Sequence, residues 1–336
     1  MHDHTDGALL ANRPAVTEDA FADSVKERLQ VVEDRLLAAA RADTPMVTEA
    51  AQHIIAAGGK RFRPLLVVLA SHFGGPVDAD DLTRAALVVE LTHVASLYHD
   101  DVMDDADLRR GAQSANRRWQ NSVAIMVGDF LFARASSTVA ELGTEYVALQ
   151  AQTFARLVQG QIAETVGPGE EDDPLQHYLQ VVADKTGSLI ATSAVFGGMV
   201  SGASGEVLGA LERFGEEIGV VFQLSDDIID ITSEETGKTP GTDLREGVPT
   251  LPTLLALRSE DPQHARLSEL IRSDLSDDET LAEAIGLLRA HPAIEESRAE
   301  VRRRAEVARG FLAPLPDGPA KDALNALCDQ VVTRSS

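Results

Sequence analysis

Two aspartate clusters with the same spacing constrain the architecture of this chain more than any other feature. The first is DDVMD (100–104), which ends an apolar run, and the second is DDIID (226–230). In each cluster, positions i and i+4 project from one face of an α-helix, and position i+1 lies about 100° around it. Unpaired carboxylates on an otherwise apolar helix repel one another unless a cation neutralises them. The repeated pattern therefore predicts two helices that present carboxylates to bound cations.

Apolar residues recur at helical spacing along most of the chain, whereas a period-2 strand pattern of any length is missing. We therefore predict an all-α fold of about a dozen helices. They would form one large bundle around a central cavity with the two aspartate-rich clusters. Residues 17–336 are predicted to form a single domain after a disordered tail at 1–16. The apolar run 122–142 is expected to be buried on most sides. The Gly-, Pro- and Thr-rich stretch 232–252 is predicted to be a loop that closes over the site.

The composition argues against several functional classes. Lys and Arg number 30 against 54 Asp and Glu, a formal net charge of −24, which disfavours non-specific nucleic-acid binding and a patch for anionic membranes. The single cysteine, Cys328, excludes an intramolecular disulfide framework and is expected to be a small core residue. We find no signal-peptide pattern and no apolar run of the roughly 20 residues that span a bilayer. We therefore expect a cytoplasmic protein with no stable membrane anchor.

Clustered cations are unusual in so acidic a chain, and they predict a site for an anion. The segment GGKRFRP (58–64) contains three cations between two predicted helices, and two arginines follow the first aspartate cluster. Because arginine suits bidentate contact with phosphate, this set predicts binding of one or two diphosphates. A solvated basic turn is the alternative for 58–64. The five cations are Lys60, Arg61, Arg63, Arg109 and Arg110.

Further polar residues stand in apolar surroundings or in the predicted loop. Lys185 and Thr186 lie between apolar segments, an unfavourable place for an ammonium group unless an anion meets it. Lys238 is the single lysine of the predicted loop. His93 lies two helical turns before the first aspartate cluster on nearly the same face, and is either a hydrogen-bonded core residue or functional. Gln223 lies three residues before the second cluster, on its face.

The candidate ligands predict a hard cation, because they are oxygen atoms without thiols or paired histidines. Mg²⁺ characteristically uses one or two carboxylates together with substrate phosphates. Neither a P-loop nor a Gly-rich dinucleotide turn is present, which disfavours nucleotide transfer. Between the clusters the helices are apolar, so the predicted cavity suits a hydrocarbon.

These motifs together resemble the trans-polyprenyl diphosphate synthases of the isoprenoid family. The resemblance covers about residues 58–252 and depends on the joint order of seven motifs. They are GGKRFRP, DDVMD, the RRG that follows it, GD at Gly128 and Asp129, KT at Lys185 and Thr186, FQ at Phe222 and Gln223, and DDIID. The resemblance implies an isoprenoid synthase-like fold, a homodimer and a Mg²⁺-dependent prenyltransferase. Such an enzyme condenses isopentenyl diphosphate with an allylic diphosphate.

The resemblance also implies a role for each matched residue. Mg²⁺, expected to draw the diphosphate off the allylic substrate, is expected to be bound by Asp100, Asp104 and Asp226, with support from Asp101, Asp227 and Asp230. Isopentenyl diphosphate is expected to be held by Lys60, Arg63, His93 and Arg110. The allylic diphosphate is expected to be held by Arg109, Lys185, Thr186, Gln223 and Lys238. The six aspartates and Lys185 are thus the expected catalytic residues, and no side-chain nucleophile is required.

Product length and one departure from the family pattern concern three positions. Many members carry lysine where this chain has Val248, so one contact to the allylic diphosphate is expected to be missing. In this family the residues five and four positions before the first aspartate form the floor of the elongation tunnel, and here they are Ala95 and Ser96. Because both are small, we predict a product of about C30 to C50, as for a quinone side chain. Helix packing is the alternative explanation for the two small residues.

Three other functions stay open. A short-chain synthase making geranylgeranyl or farnesyl diphosphate would share the same motifs. A terpene cyclase would share the aspartates but needs no second diphosphate site, so GGKRFRP argues against it. A non-catalytic regulatory subunit of a heteromeric synthase would be expected to lose aspartates from one cluster, and both clusters are intact here.

Overall fold

Helices dominate the computed structural model, which describes residues 18–232 and 240–334. The prediction of an all-α fold is confirmed. The predicted tail at 1–16 lies outside the described residues, and the single domain over 17–336 stays a prediction. The helices are α1 (Glu18–Ala39), α2 (Pro45–Ala56), α3 (Phe62–Ala70), α4 (Ala79–Met103), α5 (Ala115–Ala140), α6 (Thr144–Val166), α7 (Pro174–Val182), α8 (Ser188–Val200), α9 (Gly205–Thr232), α10 (Thr242–Glu246), α11 (Leu251–Leu257), α12 (Ala265–Ile271), α13 (Asp278–Ala290), α14 (Ala293–Phe311) and α15 (Pro319–Arg334).

Shorter elements join some of these helices. Residues Ser71–Phe73 and Pro262–His264 form 3₁₀ turns, and Ala183–Gly187 form a π-helical turn between α7 and α8. Strands β1 (Leu108–Arg109) and β2 (Ala112–Gln113) pair antiparallel in a hairpin that follows α4. Its two turn residues, 110 and 111, have φ of 53° and 78°, the left-handed pair that a two-residue hairpin turn requires.

Helix α4 is interior along most of its length. Asp78 begins it, because its carboxylate accepts hydrogen bonds from the backbone N–H groups of Asp80 and Asp81 at 2.9 and 3.0 Å. Leu87, Val94 and many other side chains of the helix are buried, so apolar contacts hold it on several sides. The first aspartate cluster therefore stands at the end of a rigid, buried element.

Helix α8 connects the two aspartate helices, since it packs against both α4 and α9. Glycines allow its close contacts. A Cβ at Gly197 of α8 would lie 2.2 Å from the carbonyl oxygen of Val67 in α3, and one at Gly215 of α9 would lie 2.5 Å from the Cα of Ala191 in α8. Because backbones touch at these points, α8 lies close to α3 and α9, and it also packs against α4, so both helices that carry the aspartates contact it.

Helix α5 differs from its prediction. Gln120, with φ 71° and ψ 160°, interrupts it near its start. One face packs closely on α4, where a Cβ at Gly128 would lie 2.4 Å from Nε2 of His99. The other face is exposed, and Met126 is 60% accessible. The expectation that residues 122–142 are buried on most sides is therefore wrong, because only one face of the helix meets the core.

The exposed face of α5 continues onto α6. Ile125 of α5 and Ile162 and Val166 of α6 are large apolar side chains that stand exposed. By length and composition α5 is also apolar enough to cross a membrane, with a third of its most apolar stretch buried. The expectation that no apolar run is long enough to span a bilayer is thus wrong for α5. Core helices of soluble proteins can be equally long and apolar.

A separate apolar cluster supports the end of α9. Ile231 of α9 and Leu244 of α10 pack with side chains of α12 and α13. Nε of Arg289 in α13 donates to the carbonyl oxygen of Ile231 at 2.7 Å. The predicted loop at 232–252 thus contains a short helix, α10, within its described part. Residues 233–239 of that loop lie outside the described residues.

Candidate active site

The first aspartate cluster lies at the C-terminal end of α4. The carboxylates of Asp100 and Asp104 accept no hydrogen bond within residues 18–232 and 240–334. Burial raises the pKa of Asp100 to about 6; the charge of Asp104 adds to this rise, whereas Lys185 opposes it. Partial burial also raises the pKa of the more exposed Asp104. Carboxylates in this state gain from any cation placed between them.

Asp101 has a different role, because it is fully buried and ion-paired. Nε of Arg109 lies 2.6 Å from its Oδ1. This contact attaches the hairpin to α4 and places Arg109 beside the first cluster. Arg109 uses Nε here, and among the described residues its two Nη groups have no partner; its role at the allylic diphosphate stays a prediction.

Lys185, predicted to need an anion, finds one within the chain. Its Nζ lies 2.5 Å from Oε2 of Glu164 in α6. Gln161 donates from Nε2 to the same carboxylate oxygen at 3.1 Å. Lys185 is also near enough to lower the pKa of both Asp100 and Asp104. An incoming diphosphate would therefore compete with Glu164 for this ammonium group.

In the second aspartate cluster, on α9, both Asp226 and Asp227 have partners within the chain. Asp226 is ion-paired with the guanidinium of Arg334, from the end of α15. Asp227 is 3% exposed and accepts hydrogen bonds from the hydroxyl of Tyr178 and from Nε2 of Gln223, the latter at 3.0 Å. Burial raises the pKa of Asp227 to about 6, and these two hydrogen bonds oppose the rise. Asp227 thus connects α9 to Tyr178 of α7 and orients the side chain of Gln223.

Asp230 connects the second cluster to the predicted closing loop. Its Oδ2 accepts from the backbone N–H of Asp243 at 3.3 Å, and its carbonyl oxygen accepts from Gly241 at 2.9 Å. The backbone N–H of Val248 in turn donates to the carbonyl oxygen of Asp243 at 2.8 Å. The described part of the loop is therefore attached to α9 through its backbone, whereas Lys238 lies outside the described residues.

Glu246 at the end of α10 adds a carboxylate that sequence analysis missed. Burial raises its pKa, and the charges of Asp104 and Asp230 raise it further. The loop thus brings an acidic group near both aspartate clusters, which increases the local demand for a cation.

Arg61 of the segment 58–64 forms ion pairs with carboxylates of two helices. Its Nε and Nη2 contact the carboxylate of Glu33 at 2.5 and 2.8 Å, and its Nη1 contacts the carboxylate of Glu90 at 3.1 Å. Its side chain is 10% exposed, and that of Glu90 is 2% exposed. Arg61 therefore joins α1 to α4, and segment 58–64 is not simply a solvated basic turn.

The other two cations of this segment are Arg63, which has an unused hydrogen-bond donor among the described residues, and Lys60, which lies near α9. Burial lowers the pKa of the half-buried Arg63 to about 10, and its Nε is buried without a hydrogen-bond partner among the described residues. Nζ of Lys60 lies 5.6 Å from the ring centroid of Phe222, the neighbour of Gln223 on α9. Arg63 in particular has the features of an anion ligand, since a buried orphan donor is costly without one.

The ring of His93 lies near two cations, Arg63 and Arg110. Burial lowers the pKa of His93 well below its ordinary value, and the charges of Arg63 and Arg110 lower it further. In the described part of the chain its ring has no hydrogen-bond partner, so the hydrogen-bonded core interpretation of His93 fails. Arg110 donates from Nη1 to the carbonyl oxygens of Ile54 and Gly58, which orients its guanidinium at the end of α2.

Thr186 and the two small residues, Ala95 and Ser96, have contacts within the chain, and their roles in substrate binding and product length stay predictions. Oγ1 of Thr186 donates to Oε1 of Gln223 at 3.3 Å, so this pair joins the π-helical turn to α9. Ala95 is 1% exposed within an apolar cluster that includes Leu131 of α5. The hydroxyl of Ser96 donates to its own helix backbone and leaves little polarity beside that cluster.

A divalent cation fits the oxygen donors of the first cluster but has no complete protein cage. In residues 18–232 and 240–334, no three His, Cys, Asp or Glu side chains converge on a single point. Mg²⁺ typically keeps waters and completes its coordination with substrate phosphates. Since the carboxylates of Asp100 and Asp104 accept no hydrogen bond from the part of the chain that the structure describes, they suit a cation that is bound jointly with a diphosphate.

Three partners of the site were missed in the sequence for different reasons. Glu164 lies three residues after Gln161 on one helical face, so spacing was a usable signal. Arg334 and Tyr178 lie far along the chain from the aspartates that they contact, and no local pattern marks them. Tertiary packing alone reveals these two.

Comparisons with known proteins agree with this geometry. Residues 44–288 match the family described as polyprenyl synthetase. The nonaprenyl diphosphate synthase of Mycobacterium tuberculosis is 48% identical over 316 residues, which cover 94% of this chain and 94% of that protein. A geranylgeranyl pyrophosphate synthase from Corynebacterium glutamicum, complexed with calcium and isoprenyl diphosphate, has a TM-score of 0.84 at 44% identity, covering 94% of this chain and 98% of that chain. A polyprenyl synthase from Caulobacter crescentus has a TM-score of 0.87 at 30% identity, covering 97% of this chain and 100% of that chain.

The family match includes both aspartate clusters and extends beyond the motif-based resemblance at 58–252 on each side. The chain therefore belongs to the polyprenyl synthetase family, and it is a prenyltransferase.

Proposed function

We propose that this chain is a Mg²⁺-dependent trans-polyprenyl diphosphate synthase that condenses isopentenyl diphosphate with an allylic diphosphate. One observation carries the proposal: the cations of the site fall into two groups. Arg63 and Arg110 lie near the neutral ring of His93 and form one group, and Lys185 and Arg109 stand beside the first aspartate cluster. Two groups of cations in so acidic a protein match a reaction between two diphosphates, with Arg109 near enough to both to act on His93 as well.

The allylic diphosphate would bind beside the first aspartate cluster. Lys185 would exchange Glu164 for a phosphate oxygen, and the free Nη groups of Arg109 would bind a second one. Thr186 and Gln223, which are hydrogen-bonded to each other, would contribute neutral hydrogen bonds. These donors are held in place before the reaction, so they can stabilise the charge of the departing diphosphate with little reorganisation.

Both the metal and cationic side chains would neutralise the diphosphate that leaves the allylic substrate. When bound by Asp100, Asp104 and Asp226, Mg²⁺ supplies positive charge to the departing diphosphate. As the allylic C–O bond breaks, Lys185 and Arg109 neutralise part of the charge on the leaving group. The double bond of isopentenyl diphosphate attacks the allylic cation, and the proton that is then lost passes to the released diphosphate.

Isopentenyl diphosphate would bind at the other cationic group. Burial keeps His93 neutral, so its ring can donate one hydrogen bond without adding charge. The unpartnered Nε of Arg63 supports a direct contact with phosphate. Arg110 and Lys60 would complete the charge balance of this diphosphate.

The product is proposed to be of medium or long chain length, about C30 to C50, because Ala95 and Ser96 would not obstruct a growing chain. The M. tuberculosis relative is named a nonaprenyl diphosphate synthase, which supports this length. The alternative is a short-chain product, since the C. glutamicum relative is named a geranylgeranyl pyrophosphate synthase. Chromatography of the dephosphorylated products distinguishes the two.

A homodimer in the cytoplasm is proposed as the working form. The exposed apolar side chains of α5 and α6, among them Met126 and Ile162, would be covered by a second copy of this chain. Sedimentation equilibrium of the wild type and of Ile162→Glu tests the dimer. A monomeric wild type, or a dimer that is insensitive to this charge, would contradict the proposed interface.

The reaction itself is tested with the purified chain alone. Labelled isopentenyl diphosphate is supplied with geranyl, farnesyl or geranylgeranyl diphosphate, with and without Mg²⁺, and diphosphate release is measured. We expect Mg²⁺-dependent release that Asp100→Asn lowers by roughly a thousandfold. No release by the chain alone, with activity appearing on addition of a second protein, would identify a regulatory subunit instead.

A further inference from the structure

The π-helical turn Ala183–Gly187 sends two consecutive side chains to two different helices. Lys185 reaches Glu164 of α6 at 2.5 Å, whereas Thr186 reaches Gln223 of α9 at 3.3 Å. A π-turn inserts an extra residue into a helix and is rare, so it persists where the surrounding structure supports it. The support of this turn therefore determines where both predicted ligands of the allylic diphosphate point.

Arg156 of α6 provides such support. Its Nε contacts the carboxylate of Asp184, a member of the π-turn. Its Nη1 and Nη2 bind Oε2 and Oε1 of Glu216 in α9 at 3.0 and 2.8 Å. This bidentate geometry gives the guanidinium a defined orientation. A single side chain thus connects α6, the π-turn and α9.

Close backbone contacts make the position of the turn sensitive to this connection. A Cβ at Gly160 of α6 would lie 2.8 Å from the backbone nitrogen of Lys185, and one at Gly219 of α9 would lie 2.8 Å from the Cα of Gly187. Asp184 also accepts a hydrogen bond from Nε2 of Gln180 at 2.8 Å. The glycines therefore let α6 and α9 pack closely on either side of the turn. The ion pairs of Arg156 with Asp184 and Glu216 connect these three elements.

We propose that Arg156 is a positioning residue for the allylic diphosphate site. It holds the π-turn between α6 and α9, so that Lys185 and Thr186 meet the same ligand from fixed directions. Arg156 does not itself touch substrate, because Asp184 and Glu216 occupy its guanidinium. The inference depends on the proposed function, since it assigns the turn to the allylic rather than to the isopentenyl substrate.

The chain offers a matched control in Arg304 of α14. Its guanidinium also joins two acids, Glu217 of α9 at 2.9 Å and Glu300 of α14 at 2.8 Å. Glu217 directly follows Glu216, the partner of Arg156, in the sequence. It has no contact with the π-turn among the described residues. Arg304→Met therefore measures the general effect of losing a two-acid arginine on α9.

The experiment compares Arg156→Met, Arg156→Lys and Arg304→Met in steady-state kinetics with each substrate varied in turn. We expect Arg156→Met to raise the KM for the allylic diphosphate roughly 10- to 100-fold, with the KM for isopentenyl diphosphate changed less than about threefold. Arg156→Lys should fall between the wild type and Arg156→Met, because lysine keeps the charge but loses the bidentate contact. Arg304→Met should leave both KM values near those of the wild type.

A second measurement does not depend on turnover. Farnesyl S-thiolodiphosphate, an unreactive allylic analogue, is titrated calorimetrically into each variant in the presence of Mg²⁺. Its affinity should fall for Arg156→Met and stay unchanged for Arg304→Met. If Arg156→Met is too unstable to purify, the same comparison is made with Arg156→Lys, whose affinity should be measurably reduced.

Two results would overturn the inference. One is an unchanged allylic KM and analogue affinity in Arg156→Met or, where that variant cannot be purified, in Arg156→Lys. The other is an equal loss for both substrates, which would mean a general loss of structure. An inactive wild type would instead refute the proposed function, so the two failures are distinguishable.

Discussion

Replacing Arg61 by methionine should destabilise the fold strongly without weakening substrate binding. Methionine fills similar space but leaves Glu90 without its cation at 2% exposure. Breaking a buried ion pair from one side costs about 3–5 kcal/mol, because the remaining charge is buried and uncompensated. Glu33, at 31% exposure, can recover water and adds little to the cost. For a chain of 336 residues, this corresponds to a fall in Tm of roughly 4–7 °C.

The assay combines differential scanning calorimetry with the KM for isopentenyl diphosphate. Arg61→Met combined with Glu90→Gln should recover most of the lost Tm, because removing both partners of a buried pair is often nearly neutral. Arg84→Met is the control, since Arg84 pairs with the exposed carboxylates of Asp81 and Glu141 and its loss should leave the Tm nearly unchanged. An unchanged Tm together with a KM raised more than about tenfold would refute the reasoning and make Arg61 a substrate ligand.

Three further changes test other parts of the site. Ala95→Phe should shorten the products in chromatography, because a buried ring about 7.5 Å along α4 from Asp100 would obstruct the chain; unchanged lengths would remove Ala95 from the measurement of product length. The lowered pKa of His93 means that its stabilising contribution is fully present above the ordinary value of 6.5 and is lost as pH falls below it. His93→Gln should therefore flatten the acid-side decline of Tm, and an identical pH profile would argue against a neutral His93. Arg334→Met should tighten Mg²⁺ binding, measured calorimetrically with inorganic diphosphate, by roughly two- to fivefold, because Arg334 competes for the half-exposed Asp226; weaker binding would show that Arg334 instead orients Asp226.

Local patterns predicted the helices well because their information lies within a few residues. The predicted helix that carries the first aspartate cluster agrees with α4, whose N-cap and apolar spacing are both local features. Cys328 is buried, as its small size and single occurrence suggested. The burial of α5 was predicted wrongly, because an apolar run does not reveal whether its second face meets the same chain or is left exposed. The π-turn at 183–187 was also missed, since its support comes from α6 and α9.

By itself, the sequence determined which chemical groups the site contains and how each set is spaced along its helix. The i and i+4 spacing of the aspartates and the cations of 58–64 follow from residue type and helical geometry. Only the tertiary structure decided which of these groups are already paired. Asp101 and Arg61 are used by the fold, whereas Asp100 and Arg63 keep unpaired capacity for ligands. The physical reason is that a charge is satisfied by whatever packing brings near it, and such partners come from distant parts of the chain.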